Sequence, residues 1–402
     1  MCVKMKATED LLSVLIPISL MCLGAPNMYD IVDLGCISDG QCYAMVINES
    51  GQVAGYGDAP NGMSTHGFVW DGSELIHIVP LNYPNGGQAW SYGINDSGDV
   101  VGYSSNGGLS IHAYLWDGEE MVDLGIPEWS NVDYSRAQDI NNNGWVVGMA
   151  GGVPYDLRGF IKHDDVWDQI PTFGGNESRA YSINDLHDVV GYARNKEGKI
   201  RAFGIPMGNI NAMFDLGDLG GGAAYAYDVN NSRQVTGQSK TKDEYWKAYL
   251  WDLKTGMKEL GTLGGNESYA WSLNDAGVVV GKSQVPEGGT HGFIWIDGEM
   301  FDINNYILPD VNVTFVNIRD INESGQLAAV GEYSDGTKHP FLLIPIDGQQ
   351  PEDINGDGVV NVVDMLLIIG EWGQCMSCPE DINGDGLVNV VDLLAVISAW
   401  TP

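Results

Sequence analysis

The chain has 402 residues, enough for one large domain and a small second one. Hydrophobic residues make up 44% of it, and 54 glycines with 12 tryptophans and 18 tyrosines suit short strands joined by tight turns. The 54 acidic residues outnumber the 19 basic ones, for a formal net charge of −35. Such a surface repels phosphate backbones and anionic lipids, which makes nucleic acids and membrane surfaces poor partners and cations good ones.

The first 25 residues predict an export signal. Lys4 and Lys6 precede the apolar run LLSVLIPISLMCLG, and small residues follow at Gly24 and Ala25. The run is too short to span a bilayer. We therefore predict a secreted protein, extracellular or at the cell surface, with no membrane span. A lipoprotein signal at Cys22 is a weaker alternative, because SLMC lacks the small residues expected before a lipidated cysteine.

Removal of this segment would leave four cysteines in two close pairs: Cys36, Cys42, Cys375 and Cys378. Close pairs are consistent with disulfides in an oxidising compartment. Four free thiols are an alternative. A zinc site is less favoured, because a lone C-x-x-C offers two of the four ligands that a structural zinc ion needs.

The middle of the chain is a repeat. Seven related segments read INESGQVAGY, INDSGDVVGY, INNNGWVVGM, INDLHDVVGY, VNNSRQVTGQ, LNDAGVVVGK and INESGQLAAV. Their second residues, the motif asparagines, are Asn48, Asn95, Asn141, Asn184, Asn230, Asn274 and Asn322. A spacing of 43 to 48 residues indicates a repeat architecture rather than several domains.

Each copy reads as four strands, which is the size of a propeller blade. The last copy ends after its third strand, PFLLIPI, and MYDIVDLG at 28–35 matches the fourth-strand text EMVDLG at 120–125. An N-terminal strand that completed the last blade would close the ring and remove its exposed edges. The sequence thus predicts a mainly β fold, a seven-bladed β-propeller over residues 28–346 closed by this strand.

A basic or imidazole residue follows each motif asparagine at a nearly constant distance. The distance is 17 residues in six copies and 18 in the first, giving His66, His112, Arg158, Arg201, Lys247, His291 and His339. An aromatic residue stands two positions later in each copy, at Phe68, Tyr114, Phe160, Phe203, Tyr249, Phe293 and Phe341. One hypothesis is a ring of cations that grips an anionic ligand. The favoured one is a hydrogen bond within each blade to an Asp or Asn of the turn, because buried polar groups need partners.

The text LGTLGGNESYAWSLNDAGVVVG followed by HGFIW resembles the HAF family of bacterial extracellular repeats. The resemblance covers roughly residues 28 to 346. Copies three to five depart from it at the histidine, and the seventh replaces the motif glycine with Ala329. It implies an exported repeat protein and assigns no activity or binding residue.

The chain ends with one twelve-residue sequence written twice, DINGDGVVNVVD at 353–364 and DINGDGLVNVVD at 381–392. Oxygen ligands at loop positions 1, 3, 5, 7, 9 and 12, with glycine at 6, are the pattern of an EF-hand-type calcium loop. The predicted ligands are Asp353, Asn355, Asp357, Val359 (carbonyl), Asn361 and Asp364, then Asp381, Asn383, Asp385, Leu387 (carbonyl), Asn389 and Asp392. Hard oxygen donors in a flexible loop favour Ca²⁺ over Mg²⁺, so we predict two Ca²⁺ sites.

Each loop is preceded by a proline, Pro351 or Pro379, and followed by a predicted helix, VVDMLLIIGEW or VVDLLAVISAW. A doubled loop-then-helix with Asp at position 12 resembles the type I dockerin module, over about residues 351 to 400. The resemblance implies a cohesin-like or scaffold partner. Dockerins often carry hydroxylated partner-reading residues at loop positions 10 and 11, where this chain has Val362, Val363, Val390 and Val391. These valines would alternatively pack within the module. Residues 347–352 would be a linker and 353–400 a small α-helical domain.

The propeller sequence contains no G-x-S-x-G elbow, no H-E-x-x-H motif and no sialidase-type box. The favoured function is therefore a non-catalytic exported propeller for carbohydrate or protein binding, tethered through the calcium module. Four aromatics, each three residues before a motif asparagine, are candidates for stacking on an extracellular glycan or for core packing: Tyr92, Tyr181, Tyr227 and Trp271. The rival is a polysaccharide-degrading enzyme, a glycoside hydrolase or lyase, delivered by a dockerin.

Overall fold

The computed structural model describes residues 26–59, 62, 64–81, 87–105, 110–152, 156–307, 312–346, 362–370, 372–374, 379, 382 and 387–399. Most of them lie in antiparallel sheets arranged as a β-propeller. The export segment 1–25 and the linker 347–352 predicted from the sequence lie outside the described residues. None of the described helices has the length and apolar character needed to cross a bilayer.

The N-terminal strand β1 is Tyr29–Asp33, and the first two repeats each form a four-stranded sheet. The first sheet is β2 Cys42–Ile47, β3 Val53–Asp58, β4 Thr65–Trp70 and β5 Leu75–Ile78. The second is β6 Ala89–Ile94, β7 Val100–Ser105, β8 Ile111–Trp116 and β9 Met121–Gly125.

Repeats three and four form one eight-stranded sheet. Repeat three supplies β10 Ser135–Ile140, β11 Val146–Gly152, β12 Asp156–His163 and β13 Val166–Gln169. Repeat four supplies β14 Gly174–Ile183, β15 Val189–Asn195, β16 Ile200–Ile205 and β17 Phe214–Asp215, with 3₁₀ turns at Pro206–Gly208 and Ile210–Ala212.

Repeats five and six form separate four-stranded sheets. Repeat five is β18 Gly220–Val229, β19 Val235–Thr241, β20 Trp246–Asp252 and β21 Gly256–Glu259. Repeat six is β22 Ser268–Leu273, β23 Val279–Gln284, β24 Thr290–Ile296 and β25 Glu299–Asp302, followed by a 3₁₀ turn at Ile303–Tyr306.

The last sheet is shared by the two ends of the propeller. Its strands from repeat seven are β26 Val313–Ile321, β27 Leu327–Tyr333 and β28 Lys338–Pro345. Strand β1 pairs antiparallel with β28, from Tyr29 opposite Pro345 to Asp33 opposite Phe341. This confirms the predicted closure by the N-terminal strand.

The prediction of seven separate four-stranded blades is wrong. The described residues contain five separate four-stranded sheets, because repeats three and four share one. The two repeats are joined where β14, ten residues long, starts early and Glu177 pairs in parallel with Leu157 of β12.

The seven repeats nevertheless close into one ring through their motif asparagines, which are all buried. In six of the seven steps the asparagine Nδ2 donates to the backbone carbonyl of the next motif asparagine, at 2.8–3.5 Å, and the last step runs from Asn322 back to Asn48. The Oδ1 atom accepts from the backbone N–H four residues on, as between Asn184 and Asp188 at 2.8 Å. One side chain thus shapes its own turn and joins it to its neighbour.

The motif glycines allow the two inner strands of each sheet to approach closely. A Cβ added at Gly191 would lie 2.0 Å from the carbonyl oxygen of Arg179, closer than real Cβ contacts. In the seventh repeat, where Ala329 replaces the glycine, the inner strand β26 carries a second register shift between Phe315 and Asn317.

The core consists of the aromatics that follow the repeated cations. Phe68, Tyr114, Phe160, Phe203, Tyr249, Phe293 and Phe341 are all at most 1% exposed. Cys36 forms a disulfide with Cys42, the first residue of β2, with a Cα–Cα distance of 5.7 Å. Cys375 and Cys378 lie outside the described residues.

The C-terminal residues form two helices, α1 Val362–Gly370 and α2 Val390–Ala399, with a short ladder between β29 Gly373–Gln374 and β30 Leu387–Val388. A small buried cluster is formed by Ile368 of α1, Val388 of β30 and Val396 of α2.

Replacing Asn184 with alanine should lower the free energy of unfolding by about 2–4 kcal/mol, because it removes three buried hydrogen bonds, one of which is the second donor to the Asn230 carbonyl besides the Arg233 N–H. Urea unfolding of the full chain measures the change. The exposed Asn211→Ala is the matched control and should change the free energy by less than about 0.5 kcal/mol. Equal effects of the two substitutions would show that the asparagine ring does not hold the repeats together.

Candidate functional site

Four of the seven repeated cations bind carboxylates within their own sheets. In four repeats the partner is an aspartate of the outermost strand: His112 with Asp123, Arg201 with Asp215, His291 with Asp302 and His339 with Asp33. The predicted hydrogen bond within each blade is present in these repeats, but the partner belongs to the fourth strand rather than to the motif turn. The sheet register causes this, since the aspartate lies opposite the aromatic residue two positions after the cation.

Other repeats vary the pair. Arg158 donates to the backbone carbonyls of Leu157 and Asn176. In the first repeat His77 replaces the aspartate, and its Nε2 lies 2.6 Å from Nδ1 of His66. Burial lowers the pKa of His112, but hydrogen bonds to Asp133 and Asp123 outweigh burial and raise it above the ordinary value. These contacts indicate a structural role for six of the seven cation positions, all except Lys247.

We expect His291→Ala to lower the free energy of unfolding by about 1–3 kcal/mol, because the partly buried carboxylate of Asp302 loses its partner at 2.5 Å. The substitution should leave the affinity for any ligand of the central channel nearly unchanged. Thermal unfolding measures the first effect and calorimetry the second. An unaltered melting temperature would contradict the structural role.

The innermost strand of every repeat contains a β-bulge at the same position. The register skips one residue, three before the motif asparagine, in each of the seven inner strands. The seven bulge residues are Met45, Tyr92, Gln138, Tyr181, Tyr227, Trp271 and Arg319. A bulge re-aims a side chain locally, and here it turns one residue per repeat toward the central channel.

The bulge residues line a central cavity of about 500 Å³ at the end of the channel where the motif turns lie. Its aromatic side chains contact one another around the wall. The ring centroids of Tyr181 and Tyr227 are 5.4 Å apart, and those of Tyr227 and Trp271 are 5.0 Å apart. The guanidinium of Arg319 lies 4.6 Å from the centroid of Trp271. Of the four stacking candidates named from the sequence, Tyr181, Tyr227 and Trp271 form one contiguous surface.

Tyr92 lies on another part of the same cavity, with its ring centroid 6.0 Å from that of Tyr56. Burial raises the pKa of Tyr56 and of Tyr181 to about 12, so both hydroxyls stay protonated and can donate hydrogen bonds. Met45, Gln138 and Arg319 were not predicted from the sequence. They could have been, because they occupy the same repeat position as the aromatics, three residues before the motif asparagine.

The rim of this cavity is a closed ring of seven side chains, each directly after a motif asparagine: Glu49, Asp96, Asn142, Asp185, Asn231, Asp275 and Glu323. Each of these rim residues accepts a hydrogen bond from the backbone N–H of the preceding one, at 2.6–3.1 Å all the way round. Five of the seven are carboxylates. This mouth therefore carries strong negative charge.

Three aspartates lie between the rim and the bulge residues. Asp139, Asp228 and Asp320 each accept the backbone N–H of a residue in the next repeat, at 2.8–3.0 Å. Burial and the charge of Asp228 raise the pKa of Asp139 to about 8 and that of Asp320 to about 7. Since both oxygens of each carboxylate accept protein donors, these groups join neighbouring inner strands.

Most of the predicted calcium ligands lie outside the described residues. Asp353, Asn355, Asp357, Val359, Asn361, Asp381, Asn383 and Asp385 belong to that group, and only the backbone of Asp364 is described, in α1. Leu387 is in β30, and Asn389 and Asp392 are described at the start of α2. The Asp392 carboxylate is fully buried and accepts the Asn389 N–H at 2.8 Å.

The valines at loop positions 10 and 11 of the second loop are on the surface. Val390 is 53% exposed and Val391 is 51% exposed, so the alternative that they pack within the module is wrong for this loop. Val362 and Val363 belong to α1, but their side chains are not described.

No family model and no curated protein matches the chain. Solved structures similar to it include an acylaminoacyl peptidase from Pyrococcus horikoshii, at 13% identity and a TM-score of 0.48, covering 77% of this chain and 51% of that one. The β-propeller domain of the Trilobed protease from Pyrococcus furiosus matches at 13% identity and a TM-score of 0.45, over 67% and 86%. The SapL1 lectin in complex with alpha methyl fucoside matches at 14% identity and a TM-score of 0.39, over 66% and 96%. Similarity at this level carries no argument about function, and the fold assignment rests on the sheets.

Proposed function

We propose that the chain is an exported, non-catalytic propeller that binds a glycan in its central channel and is tethered to a scaffold or surface partner through a calcium-binding, dockerin-like module. The observation that carries the proposal is the bulge in every inner strand, which presents a bulky or polar side chain to the channel in all seven repeats. Repeats resembling the HAF family and the export segment at 1–25 support the same location.

The channel offers both kinds of contact that a sugar uses. Tyr181, Tyr227 and Trp271 present an apolar aromatic surface on which the C–H face of a sugar ring can pack. Rim carboxylates and amides accept hydrogen bonds from hydroxyl groups, while Arg319 and the tyrosine hydroxyls donate them. A carbohydrate is favoured over a protein ligand, because a cavity of about 500 Å³ at the end of the channel suits a few sugar rings.

A glycan array probed with the full chain should show binding, and the double substitution Tyr227→Ala, Trp271→Ala should weaken it roughly tenfold or more, because two stacking surfaces are lost. Tyr245, 42% exposed on the turn between β19 and β20, provides the matched control Tyr245→Ala, which should bind normally. The release of reducing sugar from the same glycans separates binding from catalysis. If the chain releases reducing sugar, the rival hypothesis of a polysaccharide-degrading enzyme would be favoured over this proposal. If the array shows no binding to any glycan, glycan binding would be refuted.

The tether is the second part of the proposal. The paired loops carry oxygen ligands at the positions that Ca²⁺ requires, with three carboxylates at positions 1, 5 and 12 of each. Repulsion among these carboxylates opposes folding until a divalent cation binds. The small cluster of Ile368, Val388 and Val396 offers little core, so the metal should supply much of the folding free energy of residues 353–400.

The exposed valines give this module an apolar surface for a partner. Val390, Val391, Leu394 and Ile397 are each about half exposed along one stretch of α2. An apolar surface of this kind differs from the hydroxylated recognition surface of well-known dockerins. The proposed partner is therefore a cohesin-like scaffold protein with an apolar rather than a polar contact site.

The full chain should bind two Ca²⁺ ions, and Asp353→Ala together with Asp381→Ala should abolish that binding. A chelator should reduce the helical circular dichroism signal of the native chain but not that of the double variant, while the propeller melts at the same temperature in both. Asp71→Asn, an exposed aspartate in the propeller, is the charge-matched control. Calorimetry that detects no calcium uptake by the native chain would refute the module.

A further inference from the structure

The channel has opposite electrical character at its two ends. In each inner strand, the residue five positions before the motif asparagine lies six positions away from the rim residue. In an extended strand this offset is about 20 Å. We call these the entrance residues: Tyr43, Trp90, Arg136, Arg179, Tyr225, Tyr269 and Asn317. All seven are partly exposed, and among them are four aromatics and two arginines but no carboxylate. The rim at the other end has five carboxylates.

The cations at this end are poorly neutralised, although acidic residues outnumber basic ones almost three to one in the chain. Arg136 lies over Tyr103 and Tyr134, with its guanidinium carbon 4.0 and 5.2 Å from the ring centroids, and its buried Nε has no hydrogen-bond partner among the residues that the structure describes. Other arginines of the propeller show the usual pattern, such as Arg201 with Asp215 and Arg233 with Asp188.

Arg179 and Arg194 share one carboxylate, Glu177, so this group retains a net positive charge. Lys282 lies over Tyr269 and Trp271 at 5.1 and 5.7 Å, and burial together with the charges of Arg319 and Lys338 lowers its pKa. Glu267, the acid that acts on Lys282, is hydrogen-bonded to Tyr269 and Gln284.

Positive charges that lie close together without enough carboxylate partners repel one another, and this repulsion raises the free energy of the folded protein. The aromatic faces offset part of this cost, and an anionic ligand would offset more of it. We propose that this end of the channel binds an anionic oligosaccharide, in which one carboxylate or sulfate group pairs with Arg136 and another pairs with Lys282 while the sugar rings pack on the entrance aromatics. The inference rests on the proposed glycan-binding function and adds the ligand class and the entry face.

The rim explains why the anionic ligand enters from this end. Five carboxylates around the other mouth repel an anion, whereas the entrance residues attract it, so the charge along the channel selects the direction of approach. A nucleic acid would also meet cations and aromatic faces here, but the predicted export of the chain favours a glycan.

Calorimetry with the full chain in calcium should use three oligosaccharides of equal length: an oligogalacturonate, a sulfated chondroitin fragment and a neutral galactan. We expect one of the two anionic sugars to bind at least tenfold more tightly than the neutral one. If it is the oligogalacturonate, the site recognises a carboxylate, and if it is the chondroitin fragment, the site recognises a sulfate. The affinity should fall as NaCl rises from 50 to 500 mM, because dissolved ions screen the attraction between the anionic groups and these partly exposed cations.

Arg136→Gln with Lys282→Gln should lower this affinity at least tenfold. Lys258→Gln is the matched control, because Lys258 also lies over a tryptophan, 5.2 Å from the centroid of Trp295, but on the outer strand β21. The Lys258→Gln variant should bind the anionic sugar as tightly as the native chain does. If the double variant fails to fold, the salt dependence of the native chain decides, and a salt-independent affinity overturns the inference.

The outcomes distinguish the two proposals. Equal affinity for the neutral and anionic sugars would overturn this inference and leave glycan binding intact. Absence of binding to all three would overturn this inference, whereas an empty glycan array would overturn both proposals. An oligothymidylate that binds more tightly than either anionic sugar would also overturn it, in favour of a nucleic acid.

Discussion

The structure depends on one amide group repeated seven times. The motif asparagine uses Oδ1 to fix its own turn and Nδ2 to reach the backbone of the next repeat, as Asn230 does with Gln234 and Asn274. Aspartate could accept the turn hydrogen bond but has no donor for the neighbour, and serine would be too short. Because these groups are buried, each missing partner would leave a costly unsatisfied polar atom. The strict recurrence of asparagine follows from this double requirement.

Fixing the turns and the core leaves the channel wall free to vary. The bulge position holds methionine, tyrosine, glutamine, tryptophan and arginine in different repeats, while the residue before it is alanine, serine or isoleucine in every repeat. The bulge removes this residue from the ladder, so its identity does not affect strand pairing. A repeat architecture of this kind can change its ligand without changing its fold.

Much of the fold could be predicted from the sequence because the same pattern of strands and turns recurs seven times. The strand pattern, the closing strand at Tyr29–Asp33 and the buried aromatics all follow from periodicity. The merged sheet of repeats three and four could not, since it depends on one parallel pair between Leu157 and Glu177 rather than on the pattern. The site was only partly predictable: the shared repeat position marks Tyr227 and Trp271 as candidates, but the contact of Arg319 with Trp271 depends on how the inner strands of repeats six and seven pack side by side.

The closing sheet also determines how the protein would respond to mechanical load. Residue 346, where the described propeller ends, follows directly on β28, which is paired on both edges, with β27 on one side and β1 on the other. A pull at that end would act along the strand, so that the ladder hydrogen bonds resist together rather than opening one at a time. The backbone N–H of Ile346 is itself bonded to the carbonyl of Met28 at 2.8 Å. The two ends of the propeller are thus joined, and tension on one of them is carried by the other.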